Sequence, residues 1–430
     1  MNKKTRSVLL IVLLATLCLL IFAACNKVPD IYADAEDALG VMGKLVKWMH
    51  GWIGNYGWTV VVFTVFLKVI MLPLDFWQRY SSRKSALKMQ RMQPIIESID
   101  KRYGANTQRA NEEKQKLYKK QGFSMLSSCL PMIVSMAIFF VMFAGLRNYS
   151  TYSNIHNFKY LSEVYYSNYE LEIKENDELW DAYKNGVGGD YRGYDYTWEH
   201  RDTSKTEEEN ILISRNEGIK AAQKVNLEAC KAAEAKALEK VQEEYEKTHE
   251  KWLWIQNVWQ PDTWATIMQP YEGNAFAGNG FSSAVNMKNY LSDEGRYTYD
   301  TIREAVLQTG GYGENGSWNG LMILPVLSVG LSFLSMFISQ RLERKNRKGE
   351  VVEQNAQQKT TSMMMMIMMP LMMAYFGFIY TGAFAIYMVV NYTLSIITTI
   401  AMRYPVEKFV NKRLDKEEKK NKSSKATYLR

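Results

Sequence analysis

Residues 64–74 read TVFLKVIMLPL, with Lys68 near their middle. The apolar run around it opens at Trp58 and closes at Asp75. As α-helix that run nears the length needed to cross a bilayer core of about 30 Å. A lysine at the centre of such a segment costs roughly 2.5–3.5 kcal/mol on insertion scales, so its presence needs a reason. One is snorkelling, in which the stem lies along apolar surface and the ammonium reaches the headgroups. Asp75 lies only roughly 10 Å further along the helix, at about 1.5 Å per residue. The other, preferred here, is a lysine facing water in a cavity shared with Ser135 and Asn391. No Asp or Glu falls inside an apolar segment, so an intramembrane ion pair is not expected.

Working outward, the membrane-length pattern recurs. Span 1 is placed at 58–76, span 2 at 124–146, span 3 at 319–339, span 4 at 362–381 and span 5 at 383–403. Between the spans the chain is strongly polar, which is why the mean hydropathy is only −0.27. The chain of 430 residues carries a formal charge of +8, and that charge is unevenly placed. Residues 77–121, 340–361 and 404–430 are net basic, whereas 147–317 holds more Asp and Glu than Lys and Arg. The bias of Lys and Arg toward the cytoplasmic side puts the basic segments inside and the acidic region outside. Five spans from an outside start then leave the C-terminus in the cytoplasm. The fold class expected is an all-α polytopic membrane protein.

The connectors have distinct textures. Residues 77–121 read as a basic helical hairpin broken at Gly104-Ala105-Asn106, with Pro94 as a site for a kink in its first arm. Anionic lipid or a ribosome at the membrane suits this segment better than a specific nucleic acid; a pure topology signal is the plainer alternative. Residues 204–257 are rich in Lys, Glu and Ala, with a thin apolar stripe (Ile211, Ile213, Val225, Leu227, Leu238, Val241). A solvated helical arm is expected there rather than a tight coiled coil. The flanking Tyr- and Gly-rich stretches, 149–203 and 265–318, read as loops or short strands. The tail 404–430 reads as disordered.

Ahead of span 1, a basic start, an apolar run and Ala23-Ala24-Cys25 resemble a secretory signal over 1–24 followed by a lipidated cysteine. An uncleaved anchor is the alternative. Within 25–57, Met42, Leu45, Val46, Met49, Trp52 and Ile53 recur at helical spacing. They suggest a helix lying on the outer membrane surface, or one packed on protein. Span 4 contains SMMMMIMMPLMMAYFGF (362–378). Methionine is unbranched and polarizable and suits varied apolar partners, although plain lipid-facing apolarity would read the same way. Four scattered cysteines and four scattered histidines suggest neither a disulfide framework nor a metal site. Nucleotide-binding and hydrolase motifs are absent, so neither an enzyme nor a cofactor is expected.

Several stretches together resemble the YidC family of membrane protein insertases, relatives of the mitochondrial Oxa and chloroplast Alb insertases. They are NYGWTVVVFTVFLKVIMLPL (55–74), KMQRMQPIIESIDKRYG (88–104), KLYKKQGFSMLSSCLPMIVSMAIFFVMF (116–143) and MMPLMMAYFGFIYTGAFAIYMVVNYTLSIITT (368–399). WLWIQNVWQPD (252–262) and LMILPVL (321–327) match more weakly. The resemblance implies a five-span insertase core, a cytoplasmic helical hairpin that receives clients, and a hydrophilic groove open to cytoplasm and lipid. It places Lys68 where the family carries a groove arginine. It adds Ser135, Asn391, Tyr387 and Met388 as groove or client-binding positions and Cys25 as the lipidation site. Lysine for arginine keeps the charge and loses the planar fork. Ser135, Ala137 and Met388 also depart from the usual glutamine, proline and aromatic residue. The implied partners are nascent membrane-protein clients and membrane lipids, with the ribosome and the Sec translocon beside them. The region 147–317 is larger than this signal-bearing branch usually carries and reads as an extracellular insertion. A transporter or channel using Lys68 as an anion site, or a surface-anchored structural protein, are the rival readings.

Overall fold

The computed structural model describes residues 39–103, 107–120, 125–188, 204, 207–259, 298–302, 305–306, 319–320, 322–344, 370–371 and 381–427. Cys25, the expected signal and nearly all of the methionine-rich stretch lie outside the described residues, as do the side chains of 121–140. Among the described residues the chain is almost wholly helical, and the one β-type pairing joins Trp252 and Ile255.

Helix α1 (Gly40–Ile53) ends where Gly54 takes φ 72° and donates its N–H to the His50 carbonyl at 2.8 Å. It buries Gly43, Val46 and Met49 against the two long helices that follow. Trp48 and Trp52 point away from that contact and are exposed. Val46 and Met49 thus lie on the buried face as their spacing suggests, and Trp52 does not.

Helix α2 (Tyr56–Tyr103) is one rod of 48 residues, about 70 Å at 1.5 Å per residue. It runs through Pro73 and Pro94. Its length carries it from the apolar run straight into the basic segment. Helix α3 (Thr107–Lys120) returns beside its end, and Lys114 Nζ meets Asp100 Oδ1 at 2.5 Å. Helix α4 (Met125–Ile173) has 49 residues, again far longer than a bilayer crossing requires. The expectation of loops or strands from residue 149 onward is therefore corrected: the helix continues to Ile173. Phe158, Leu161, Tyr165, Tyr169 and Ile173 are buried along this extension, at spacings of three and four that keep them on one face.

Short helices close over that face. In α5 (Asp177–Val187) the Asn176 side chain caps the start by accepting from the N–H groups of Glu178 and Leu179. Helix α6 (Glu207–Val225) packs along α5, and α7 (Leu227–Thr248) packs along α4. Asn226 alone separates α6 from α7, and its side chain caps α7 through the Ala229 N–H at 3.1 Å. Gly218 permits the close crossing of α5 and α6, since a Cβ there would fall 2.7 Å from Val187 Cγ2.

Residues 227–248 are thus no solvated arm. Cys230, Ala233, Ala237, Val241 and Tyr245 are buried against the α4 tyrosines, while Val225 and Leu227 of the expected stripe are exposed. Small alanines let the helices approach, and large tyrosines fill the space from the other side.

Helix α8 (Ile323–Arg344) and helix α9 (Gly382–Thr427) pack on one another, and α9 also packs on α2. The tail expected to be disordered is helical through Thr427. Val406 and Val410 dock on Phe76, Tyr80 and Leu87 of α2, and Arg83 Nη2 pairs with Glu407 Oε1 at 3.3 Å. Apolar contact plus a partly buried ion pair explains why this basic segment holds its helix. Among the described residues three helical stretches are long and apolar enough to cross a membrane: Tyr56–Ser85, Ile323–Leu342 and Gly382–Arg413.

Candidate functional site

Lys68 lies on α2 where that helix packs against α9. Its Nζ stands 2.9 Å from Asp75 Oδ2 and donates to Ser395 Oγ at 3.1 Å. Both charged side chains are largely enclosed, 16% and 15% exposed. The expectation that no acidic residue would neutralise Lys68 is corrected. Asp75 closes the apolar run two turns further along the same helix, and an extended lysine reaches a distance of that order. Asp75 Oδ2 has no aligned hydrogen-bond donor, so its link to Lys68 is a charge contact rather than a hydrogen bond. Removing both charges from water is costly unless pairing and hydrogen bonds offset it; here one carboxylate and one hydroxyl share the ammonium.

The α9 side of this site is a ladder. Tyr387, Asn391, Ser395 and Thr399 follow at intervals of four residues, which puts them on one helical face. The Ser395 carbonyl accepts hydrogen bonds from Thr399 Oγ1 at 2.5 Å and Thr398 Oγ1 at 3.1 Å. Asn391 is half-buried one turn before Ser395. Tyr387 and Met388 are enclosed among Val60, Phe63 and Leu67 of α2, where they form the apolar end of the ladder. Ser135 sits on α4, and its side chain lies outside the described residues. The structure thus brings Lys68 to the α9 face that bears Asn391. Ser395 and Asp75 are the partners that sequence reasoning missed. The four-residue step from Asn391 would have found the first, and the seven-residue step from Lys68 the second.

At the start of α2, about three turns before Lys68, the chain is clamped by the segment after α7. Glu250 Oε2 accepts from the Tyr56 backbone N–H at 3.1 Å and from Asn55 Nδ2 at 3.4 Å, and its Oε1 stands 3.4 Å from His50 Nε2. Burial raises the Glu250 carboxyl above its usual range and lowers the His50 imidazole below its own. Both shifts favour neutral forms, as expected where desolvation outweighs attraction. Among the described residues no group of three or more His, Cys, Asp or Glu is placed to hold a metal ion.

Long apolar helices with a charged pair and a hydroxyl ladder between two of them define a multi-pass helical membrane protein. Comparison with known proteins narrows the class. The profile of the family described as "60Kd inner membrane protein" matches residues 48–175 and 236–409, and the chain belongs to that family, the one that contains the YidC insertases. The family match leaves out α5, α6 and the start of α7, and resumes within α7.

Among relatives, a "Membrane protein insertase YidC" of Caldanaerobacter subterraneus subsp. tengcongensis is 36% identical over 112 residues, 26% of this chain and 52% of that protein. Proteins of the same name from Campylobacter jejuni and Stenotrophomonas maltophilia are each 35% identical. Those matches cover 25% and 24% of this chain, and 20% and 18% of the relatives. The matched part is therefore about half of the first relative and about a fifth of the other two.

Proposed function

We propose that the chain is a membrane protein insertase and chaperone, with five spans completed by the segment of span 2 on α4 and by residues 362–381. The observation that carries this reading is Lys68, held between Asp75 and Ser395 within the part of the chain that matches the family. A cation and hydroxyls inside a span offer polar ground at hydrocarbon depth, where intramembrane ionisable residues usually mark a pathway. A polar client segment reaches this ground from the cytoplasm, and its path across hydrocarbon is shortened. Its apolar segment then passes into lipid, driven by burial of apolar surface at roughly 25 cal/mol per Å². No cofactor takes part. In this reading Lys68, Ser135 and Asn391 line the groove, and Tyr387 and Met388 close its apolar end.

The topology that goes with this reading places the end of α2 and α3 (residues 77–121) and the tail in the cytoplasm, and 147–317 outside. The basic character of the first two and the acidic character of the third support it. The N-terminus is then outside and Cys25 is the lipidated residue. Nascent membrane proteins are the clients, handed over from the ribosome with or without the Sec translocon.

The test is complementation of an insertase-depleted strain with the unaltered chain, Lys68→Ala and Lys68→Arg. Growth and client insertion are expected from the unaltered chain and from Lys68→Arg, with a clear loss for Lys68→Ala. Failure of the unaltered chain, when present in the membrane at normal level, overturns the insertase reading. Equal insertion by Lys68→Ala overturns the role of the groove charge.

A further inference from the structure

The segment that follows α7 contains a feature that neither the fold nor the groove explains. Trp252 and Ile255 exchange both backbone hydrogen bonds, at 2.9 and 2.8 Å, and enclose Leu253 and Trp254 as a two-residue hairpin turn. Such a turn needs a positive φ at its first central position, where glycine is the ordinary choice. Here that position is Leu253, at φ 51°. A leucine held in the left-handed region is strained by its Cβ. Burial of its side chain could offset that strain, yet Leu253 is 62% exposed and Trp254 is 37% exposed. An apolar tip is thus displayed at a conformational cost, with none of the described residues covering it fully.

The tip is fixed relative to the start of α2. The Lys251 carbonyl accepts from Asn55 Nδ2 at 2.8 Å, which ties the base of the turn to the residue just before α2. Trp252 lies against Gly57, where a Cβ would fall inside the indole. It meets Trp58 edge-to-face at 5.6 Å, and Trp254 follows at 6.2 Å from Trp252. Trp58 is itself 48% exposed and stands in the first turn of the membrane-spanning stretch Tyr56–Ser85. Below it the outward residues Val62, Val65, Phe66, Val69 and Ile70 continue an apolar stripe down the same helix. Tryptophan gathers at the boundary between hydrocarbon and headgroups, where its ring is half solvated.

We infer that Leu253 and Trp254 form a lipid-binding finger that inserts at the rim of the bilayer beside Trp58. The occupant is the boundary of headgroups and upper acyl chains, continuous with the lipid that surrounds α2. The finger fixes the height of the start of α2 in the membrane, and through Glu250 and Asn55 it couples that height to the helices α4 to α7. The geometry is the same whichever side of the membrane this end of α2 faces, and it does not depend on insertase activity.

The experiment uses the full chain in nanodiscs of phosphatidylethanolamine and phosphatidylglycerol. The photoreactive amino acid benzoylphenylalanine replaces Trp254 and, as a control, Glu228, which is exposed at the start of α7. Irradiation is expected to add one phospholipid mass at position 254 and none at 228. Absence of a lipid adduct at 254, or an adduct with a co-purified protein instead, overturns the inference. A second measurement guards against a variant that fails to fold. Brominated lipids are expected to quench tryptophan emission less in Trp254→Phe than in the unaltered chain; equal quenching in the two also overturns it.

Discussion

Trp259 lies face to face with Tyr56, their ring centroids 4.2 Å apart and their planes inclined by 22°. Both side chains are fully buried. Tyr56 opens α2, and Trp259 lies in the loop between α7 and α8. The stack therefore locks a segment far along the chain onto the start of the first long apolar helix. Tyr149 of α4 completes a triangle of rings, 5.2 Å from Tyr56 and 6.3 Å from Trp259, so three elements converge there. The Tyr56 hydroxyl also donates to the Leu146 carbonyl at 3.3 Å. Replacement of Trp259 by alanine removes a ring that nothing nearby can replace. A loss of about 3–5 kcal/mol is expected, the range for large aromatic deletions, and Trp259→Phe should lose clearly less. Thermal unfolding in detergent micelles measures both; equal midpoints for the two variants would show that the stack carries little.

The Lys68–Asp75 pair makes a prediction about stability apart from function. Taking away one partner leaves an enclosed charge without compensation, which typically costs about 3–5 kcal/mol, while taking away both is far milder. Lys68→Ala should therefore unfold at a lower temperature than the double variant Lys68→Ala, Asp75→Asn. Ser395→Ala should fall between, losing a hydrogen bond to a charged group worth about 1.5–3 kcal/mol. If the single and double variants unfold together, the two charges are not coupled. The same set separates stability from insertion, since the stabilised double variant still lacks the groove cation.

How far the sequence alone could lead is clearest in the tyrosine-rich core of α4 to α7. The apolar run around Lys68 announced a span because hydropathy over a membrane length is a strong signal. The helix after Tyr149 announced nothing, because Tyr165, Tyr166 and Tyr169 count as polar-tinged aromatics and not as a core face. On α7 the buried face includes Ala233 and Ala237, and alanine favours helix wherever it occurs, so the face shows no continuous stripe of large side chains. The pairing of those alanines with tyrosines is a tertiary fact. The tail was misread for a similar reason: its charges suggested solvent, and only Val406 and Val410 against α2 reveal a docked face. The groove was half legible. Lys68 and Asn391 stood out as polar residues in apolar runs, whereas Ser395 is inconspicuous in a helix until a cation touches it.

Arg215 tests whether α5, α6 and α7 fold as a supporting structure. Its guanidinium is nearly buried, with Nη1 on Glu163 Oε2 at 2.7 Å and Nη2 on Glu163 Oε1 at 3.1 Å. It also stacks over Tyr166 at 4.9 Å. Planar two-point pairing of this kind is specific to arginine. Arg215 Nε also stands 3.6 Å from the buried Glu170 Oε1. Arg215→Ala leaves that enclosed carboxylate without its cation, a loss of about 3–5 kcal/mol, and Arg215→Lys should fail to restore it in full. Amide hydrogen exchange should speed up through α5 and α6 while α2 and α9 stay protected. Uniformly faster exchange in all helices would show that α5 to α7 and the long apolar helices unfold as one unit.

Glu250 supplies a pH dependence with a definite sign. Burial raises its folded pKa above the model-compound value of 4.5. Between 4.5 and that raised value the folded chain holds a proton that the unfolded chain has released. Stability from this group is therefore lost as pH rises through the window, and the loss stays constant above it. His50 works the other way. Its folded pKa is lowered below 6.5, so the unfolded chain binds the extra proton and stability rises with pH up to 6.5. Glu250→Gln removes the first contribution, keeps the second, and still offers an oxygen to the Tyr56 N–H. The variant should gain stability relative to the unaltered chain as pH rises from about 4.5 toward neutrality. Glu250→Ala should be the less stable at every pH, because the Tyr56 N–H then loses its acceptor at a cost of about 1–3 kcal/mol. Unfolding midpoints of the three proteins across that pH range decide the matter. A constant gap between Glu250→Gln and the unaltered chain would mean that Glu250 is already charged throughout, stabilised by His50 more than it is penalised by burial.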